Sequence, residues 1–157
     1  MQFLLSWEQA KELCDSVKKR GGVVVTTNGC FDILHPGHVQ YLSEARGLGD
    51  VLIVGINADA SVKKIKGPNR PLNDQDSRAI VVGALKCVDG VCIFNEDTPL
   101  EWLKALQPQI HVKGGDYKIE DLPEKKVLDS WGGKIHLAPH YPGHSTTTLI
   151  KKSQGKA

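Results

Sequence analysis

Five short apolar runs rich in β-branched residues recur along the chain, at positions 23–27, 51–56, 90–94, 109–113 and 134–138. Each is nearly continuous in apolar character, which is typical of strands buried on both faces. Amphipathic stretches with helical spacing or capping signals lie before, between and after them, at 6–21, 38–49, 74–87, 98–108, 120–133 and 145–152. Strands that alternate with helices predict an α/β fold with a mostly parallel sheet and helices on both faces.

The length of the chain, 157 residues, suits one domain with a sizeable hydrophobic core. We expect a single Rossmann-like domain over 1–157, with a five-stranded core at about 22–152 and an N-terminal helix within 1–21. In the stretch 98–108, Thr98 is the predicted N-cap, Pro99 takes the first helical position and Glu101 completes a capping box.

The unusual polar residues of the chain follow the predicted strands. They lie in the segments NGCFDILHPGH (28–38), NADASVKKIKGPNR (57–70), NEDTP (95–99), KGGDY (113–117) and PHYPGHSTTT (139–148). The carboxyl ends of parallel strands meet at one edge of a sheet, and ligands bind there near a switch in strand order. These segments therefore predict a single functional site at that edge.

Charge and composition argue against several classes of function. Lys and Arg total 20 against 18 Asp and Glu, a net charge of +2, so bulk charge gives no indication of nucleic-acid or membrane binding. No window approaches 18 apolar residues and the first residues lack signal-peptide features, which predicts a cytoplasmic protein. The four cysteines form no CxxC pair and are expected to be reduced thiols: Cys14, Cys30, Cys87 and Cys92.

The joint between the first strand and the next helix carries two histidines, His35 and His38, separated by Pro36 and Gly37. Proline suits the first turn of a helix, and glycine lets the backbone approach a ligand closely. A helix N-terminus with two imidazoles favours a phosphate that gains charge in a transition state. The alternatives are a capping and a surface histidine, or zinc held by Cys30 and both histidines. The joint lacks GxGxxG, which disfavours a classical NAD site.

Basic and hydroxyl side chains follow other strands. Lys63, Lys64, Lys66 and Arg70 form a basic loop, in which one or two members clamp phosphates or all are simply solvated. The run 145–148 offers hydroxyl and backbone N–H groups at a predicted helix N-terminus, either as a second anion site or as plain caps.

The KGGDY segment leaves its strand through two glycines, which allow a base or ribose to lie against the backbone, with Asp116 as a hydrogen-bond acceptor. A tight turn is the alternative. Arg78 stands in the first turn of a helix, where the helix dipole does not explain it, and is a further candidate. His140 and His144 lie near the same edge, where surface placement is the expectation.

Together these motifs resemble the HxGH nucleotidyltransferase superfamily, in which a phenylalanine–aspartate pair shortly precedes HxGH, as Phe31 and Asp32 do here. The resemblance continues through VGINADASVKKIKGPNRPLN, DSRAIVVGAL, FNEDTPLEWLKALQP, KGGDY and GHSTTTLI, and covers about 27–151. Within the superfamily, KGPNRPLN and KGGDY are most similar to the adenylyltransferases of ADP-heptose synthesis, which act on D-glycero-β-D-manno-heptose 1-phosphate.

The resemblance implies a role for each matching residue. His35, His38 and Lys66 would be catalytic, with the histidines stabilising the charge that develops at the α-phosphorus and the lysine neutralising phosphate. Asp32 would face the sugar phosphate or the metal, and Arg78 would support the substrate site. The implied nucleotide-binding residues are Gly29, Cys30, Phe31, Gly37, Lys113, Gly114, Asp116, Ser145, Thr146 and Thr147.

The resemblance also implies transfer of AMP from ATP to a sugar 1-phosphate, with Mg²⁺ accompanying ATP and no metal ligand from the protein, in a homo-oligomer. One departure is Thr148, where a basic residue is expected; Lys151 or Lys152 would substitute from the next turn. Three alternatives remain. They are a cytidylyltransferase acting on glycerol 3-phosphate or a similar alcohol phosphate, a different adenylyltransferase, such as one making a flavin or coenzyme A precursor, and a non-catalytic nucleotide-binding module.

Overall fold

Five parallel strands form one sheet in the computed structural model, which describes residues 3–139, 141 and 145–155. The strands are β1 (Val24–Gly29), β2 (Val51–Asn57), β3 (Gly90–Phe94), β4 (Ile110–Gly114) and β5 (Lys134–Ala138). Their order is β3-β2-β1-β4-β5, and every pairing between them is parallel. The predicted α/β fold is confirmed.

Seven α-helices accompany the sheet within the described residues. They are α1 (Trp7–Lys19), α2 (Pro36–Arg46), α3 (Asp59–Lys66), α4 (Gln75–Gly83), α5 (Leu100–Leu106), α6 (Pro123–Asp129) and α7 (Thr146–Ser153), and a short 3₁₀ helix, Ile119–Asp121, precedes α6. None of these helices has the length and apolar character needed to cross a bilayer.

The core consists of two hydrophobic clusters on opposite faces of the sheet. Val25 and Val54 pack with residues of α2 and α4, whereas Val24 and Ile53 pack with residues of α1, α5 and α6. Adjacent residues of a strand point to opposite faces, so both faces need apolar side chains. This explains why the strands read as continuous apolar runs. The four cysteines are free thiols, as expected.

Two local predictions were wrong. The segment after β2 was expected to be a loop, but Asp59–Lys66 forms α3, because Ser61 and Val62 pack inward and an acidic residue in the first turn favours the helix dipole. Helix α5 begins at Leu100 with Pro99 as its N-cap and no side-chain cap. Pro99 is buried and its carbonyl accepts the first helical bond, while Thr98 stays exposed outside the helix.

The strand order places the switch point between β1 and β4. From β1 the chain builds outward to β2 and β3, and then returns to the other side of β1 to form β4 and β5. The loops that leave β1 and β4 diverge at this point, which opens a crevice at the carboxyl ends of the two strands.

Candidate active site

A cleft with two adjoining compartments lies at the carboxyl ends of β1 and β4. Both compartments share a wall formed by 28–31, His35, His38, Tyr41 and Gly114. The first, of about 300 Å³, is completed by Gly37, Gly115, Pro139 and Tyr141. The second, of about 470 Å³, is completed by Asp32, Ile65, Lys66, Arg70, Lys113, Tyr117, Ser145, Thr146 and Thr147. We call them the apolar and the basic compartment.

The two histidines form one unit at the start of α2. His35 is the N-cap residue, and its backbone N–H donates to Nδ1 of His38 across 3.3 Å. The rings stack with their centroids 3.8 Å apart. Burial and the neighbouring His35 lower the pKa of His38 to about 4. His38 is therefore neutral at pH 7, and because Nδ1 is an acceptor, its proton is on Nε2.

The loop between β1 and α2 is shaped by Gly29 and Phe31. Phe31 has a positive φ of 48° and is buried, and its ring lies against His38 with centroids 5.4 Å apart. A Cβ at Gly29 would stand 2.9 Å from that ring, so any side chain here would displace the buried ring. Glycine is therefore needed here, and the backbone of this loop forms much of the cleft wall.

Asp32 anchors a second loop. Its side chain is only 1% exposed and accepts hydrogen bonds from Arg70 Nε at 2.6 Å and from the backbone N–H groups of Leu72 and Asn73 at 2.8 and 3.0 Å. Burial opposes ionisation, but these bonds outweigh it and lower the pKa of Asp32. The charged carboxylate thus fixes the 70–73 segment beside the cleft.

Arg78 holds the same loops through hydrogen bonds. Its buried guanidinium donates to the carbonyl of Cys30 at 2.7 Å, to the carbonyl of Asn73 at 3.0 Å and to Asp59 at 2.8 Å. Arg78 does not line either compartment. It joins the β1–α2 loop, the 70–73 segment and α3, so that the residues carried by these three elements keep fixed positions.

The basic segment after β2 divides into residues inside and outside the cleft. Lys66 and Arg70 line the basic compartment, whereas Lys63 is exposed and Lys64 pairs with Asp97 at 3.0 Å. Lys63 and Lys66 both lie on the last turn of α3, but only Lys66, the residue before Gly67, reaches the basic compartment.

The N-terminus of α7 closes the basic compartment. Ser145 is its N-cap and accepts from the backbone N–H of Thr148 at 3.0 Å, while the Thr146 hydroxyl donates to the carbonyl of Ile33 at 3.1 Å. Ser145, Thr146 and Thr147 line the compartment. Thr148 and Lys152 instead line a separate groove beside Leu34 and Pro36. His140 and His144 lie outside the described residues.

The KGGDY segment enters the cleft through its backbone and two of its side chains. Lys113 pairs with Glu124, and its ammonium lies 5.6 Å from the centroid of the Tyr117 ring. A Cβ at Gly114 would lie 3.2 Å from Tyr41. Asp116 is exposed and lines neither compartment.

Three tyrosines of the cleft were missed from the sequence. The Tyr41 hydroxyl donates to the carbonyl of Val112 at 3.0 Å, and burial raises its pKa to about 12. Tyr117 lines the basic compartment, and Tyr141 lines the apolar one and donates to Glu44. Tyr117 and Tyr141 lie in two of the segments that the sequence places at the functional edge, and Tyr41 is three residues after His38 and thus shares its helix face.

The zinc alternative has no support from the geometry. No group of three His, Cys, Asp or Glu side chains in the described part of the chain is arranged to hold a metal ion. The two histidine rings stack on each other. Imidazole, ammonium, guanidinium and hydroxyl groups line the basic compartment, and these groups suit phosphate oxygens.

Comparison with known proteins identifies the family. Residues 26–152 match the family model described as cytidylyltransferase-like. Over 145 residues, the chain is 53% identical to the bifunctional protein HldE of Trichlorobacter lovleyi and 48% identical to that of Syntrophotalea carbinolica. In both cases the match covers 92% of this chain, which spans 30% of the relative's length.

Solved structures agree on the fold. The lipopolysaccharide core biosynthesis protein from Thermoplasma volcanium is 28% identical, with a TM-score of 0.65, over 77% of this chain and 98% of its own. Pantoate–β-alanine ligase from Francisella tularensis has a TM-score of 0.63 at 14% identity, over 98% of this chain and 77% of its own, a likeness of fold alone. With HPGH at the start of α2 and a family match over most of its length, the chain belongs to the cytidylyltransferase-like family of HxGH nucleotidyltransferases.

Proposed function

We propose that the chain transfers AMP from ATP to D-glycero-β-D-manno-heptose 1-phosphate, giving ADP-heptose and pyrophosphate. The observation that carries this proposal is the meeting of the two compartments at His35 and His38. A flat base and ribose fit the apolar compartment, and phosphates fit the basic one. The α-phosphate then lies at the shared wall, beside the N-terminus of α2.

The reaction is an in-line displacement. A phosphate oxygen of the sugar 1-phosphate attacks the α-phosphorus of ATP and forms a P–O bond, while the bond to the β-phosphate oxygen breaks and pyrophosphate leaves. The attacking phosphate is already an anion, so no residue needs to act as a covalent nucleophile or a base. Catalysis is then positioning together with stabilisation of developing charge.

Each group of the cleft has a role in this step. His38 donates through Nε2–H to the α-phosphate, and His35 supports it through the stacked ring. Lys66 neutralises phosphate charge from α3, and the N-terminus of α7 receives the phosphates that leave. Asp32 and Arg78 act through the loops that they hold rather than by touching substrate.

Mg²⁺ would accompany the triphosphate and neutralise the departing pyrophosphate. The donors of the basic compartment fit this arrangement, since Asp32, the one carboxylate among its described lining residues, is bonded to Arg70 and to the 72–73 backbone. The phosphate oxygens of the nucleotide would therefore hold the cation, and the protein would supply hydrogen-bond donors around them.

The heptose acceptor is supported by the KGPNRPLN and KGGDY segments and by relatives named bifunctional HldE. The T. volcanium neighbour, a lipopolysaccharide core biosynthesis protein, supports the same class of product. We place the enzyme in the cytoplasm, where ATP is made, as a homo-oligomer.

The test is pyrophosphate release with Mg²⁺, crossing ATP and CTP against heptose 1-phosphate, glycerol 3-phosphate and no acceptor. Release with ATP and heptose 1-phosphate alone is the expected result. Release with CTP and glycerol 3-phosphate would keep the mechanism but replace both substrates. If ATP bound and no pair released pyrophosphate, other phosphate acceptors, including flavin and coenzyme A precursors, would be tried. If none of these acceptors gave pyrophosphate release, a non-catalytic nucleotide-binding module would be favoured.

A further inference from the structure

A buried polar cluster lies beside the basic compartment, on the side of the sheet that α6 covers. His111 and Lys113 are two residues apart on β4, so their side chains point to the same face. Thr26 is the neighbour of His111 in the β1–β4 ladder. Glu124 lies in the first turn of α6 above them. A cluster of this kind needs a reason, because buried polar groups are costly unless they are paired.

The positive charge of Lys113 compensates the negative charge of the buried Glu124 carboxylate. Glu124 is 2% exposed, and its Oε1 accepts a hydrogen bond from Lys113 Nζ. Burial opposes ionisation of Glu124, but the bond from Lys113 and a backbone N–H outweigh it and lower the pKa of the carboxyl. Lys113 is its one ion-pair partner among the described residues.

His111 does not compete with Lys113 for this carboxylate. Its ring is fully buried, and Nδ1 shares a hydrogen bond of 2.9 Å with the Thr26 hydroxyl. Burial lowers the pKa of His111 to about 4, so the ring is neutral at pH 7. A buried carboxylate with a single cationic partner holds that partner strongly, since separation would leave an uncompensated charge.

Lys113 is thereby restrained at the wall of the basic compartment. It lines this compartment, and its ammonium is bonded to Glu124 and lies over the face of the Tyr117 ring. A free lysine would instead sample many rotamers in solvent.

We propose that Glu124 is a positioning residue, which holds the Lys113 ammonium in the orientation in which it meets the bound nucleotide. The proposal rests on the proposed function only in taking a nucleotide as the ligand. Nothing in the motifs of the cleft points to Glu124, which is nine residues beyond Gly115, the last residue of the KGG turn, and on a different element.

The direction in which E124Q changes the affinity for ATP distinguishes a positioning role of Glu124 from a purely electrostatic one. Replacing a carboxylate with a neutral amide near an anion site strengthens binding of an anion if charge alone matters. If positioning matters, E124Q weakens ATP binding in spite of the charge gained, by about tenfold as a typical cost of a displaced contact. The dissociation constant of Mg·ATP, measured by titration calorimetry, gives this sign directly.

The matched control is D129N. Asp129 is also on α6 and also pairs with a lysine, Lys125, at 2.6 Å, but that pair is exposed. D129N removes the same charge from the same helix, and we expect ATP binding to stay within twofold of wild type. A cycle with K113M completes the test, because E124Q has no further effect on ATP binding once Lys113 is gone.

A second readout needs no ligand. Lysine acylation followed by mass spectrometry compares Lys113 with Lys126, an exposed lysine of α6. We expect Lys113 to react several-fold faster in E124Q than in wild type, relative to Lys126, because the restraint is lost. If E124Q does not fold, E124D serves, since it keeps the charge but withdraws it by one methylene.

The outcomes are distinct. Unchanged Lys113 labelling, or unchanged or tighter ATP binding in a folded Glu124 variant, overturns the positioning role. Faster labelling with weaker ATP binding supports it, whatever the sugar acceptor proves to be. A wild-type chain that binds no nucleotide overturns the proposed function instead, and faster labelling in E124Q would then still support the restraint on Lys113.

Discussion

The backbone N–H of His35 donates to Nδ1 of His38 while the two imidazole rings stack 3.8 Å apart. This contact decides the tautomer of His38 and aligns it at the first turn of α2. The helix N-terminus and one neutral N–H donor are thereby directed at the same place without burying a positive charge.

His38→Ala should lower kcat on the order of 10²–10³-fold, the scale for losing one well-placed donor in a transition state. His38→Asn is the matched variant. Its side-chain oxygen can still accept from the His35 N–H, but it has no counterpart of Nε2–H. We expect both variants to lose similar activity in steady-state pyrophosphate release. A loss of less than tenfold in a folded variant would remove His38 from the transition state.

Lys66→Ala should lower kcat/KM for ATP by about 10- to 100-fold, as expected for a hydrogen bond to a charged group. Lys63→Ala removes the same charge from the same helical turn, but Lys63 lies outside the cleft. Its kcat/KM should stay within twofold of wild type. Equal losses in both variants would mean that the general positive field of α3, rather than a contact of Lys66, assists binding.

Asp32→Asn should loosen the 70–73 segment, because the amide cannot match the charged acceptor of Arg70 and two backbone N–H groups. We expect faster limited proteolysis in 67–73 and a KM for the sugar phosphate raised about tenfold. Asp97→Asn, which breaks the exposed pair with Lys64, is the control and should change neither. If both aspartate variants behave like wild type, the segment does not depend on this anchor.

His111 should make stability depend on pH. Its pKa is about 4 in the folded chain against an ordinary 6.5. Between these values the unfolded chain binds a proton that the folded chain does not, so the free energy of unfolding falls as pH drops below 6.5. His111→Asn keeps an acceptor for Thr26 but does not titrate. Urea unfolding at pH 7 and pH 4.5 should show a loss that is roughly 2 kcal/mol smaller in this variant. Equal losses would show that another group causes the pH dependence.

The sequence pattern predicted the fold well because the dominant interactions are local or periodic. Strands buried on both faces are visible in the sequence as apolar runs, and helix N-termini are marked by prolines and hydroxyl residues. The pattern failed at α3, which buries only two residues of a lysine-rich segment. It also missed contacts between different elements of the fold, such as Asp32 with Arg70 and Lys113 with Glu124. The sequence around one member of such a pair does not indicate which residue it will contact.

As with the fold, some features of the site follow from the sequence pattern and others do not. The residues at the ends of β1 and β4 lie where the motif predicted, since the strand ends place them there. Asp116, a predicted hydrogen-bond acceptor for the nucleotide, lines neither compartment. Gly115 before it adopts a φ of +120°, and Tyr117 lines the basic compartment. The backbone dihedral of Gly115 influences which neighbouring side chain faces the cleft, and the amino-acid sequence does not specify that dihedral.

Residues 3–5 lie along the outer side of β3, where Leu4 forms a parallel bridge with Val91. The Val91 N–H donates to the carbonyl of Phe3 and the Leu5 N–H donates to the carbonyl of Val91, while the Phe3 ring rests on Gly83. An open strand edge is a template on which another chain can add a strand. Residues 3–5 thus occupy the outer edge of β3 and block the addition of another strand there. A form that begins at Ser6 would expose the Val91 backbone and should aggregate through its sheet, even with every residue of the cleft in place.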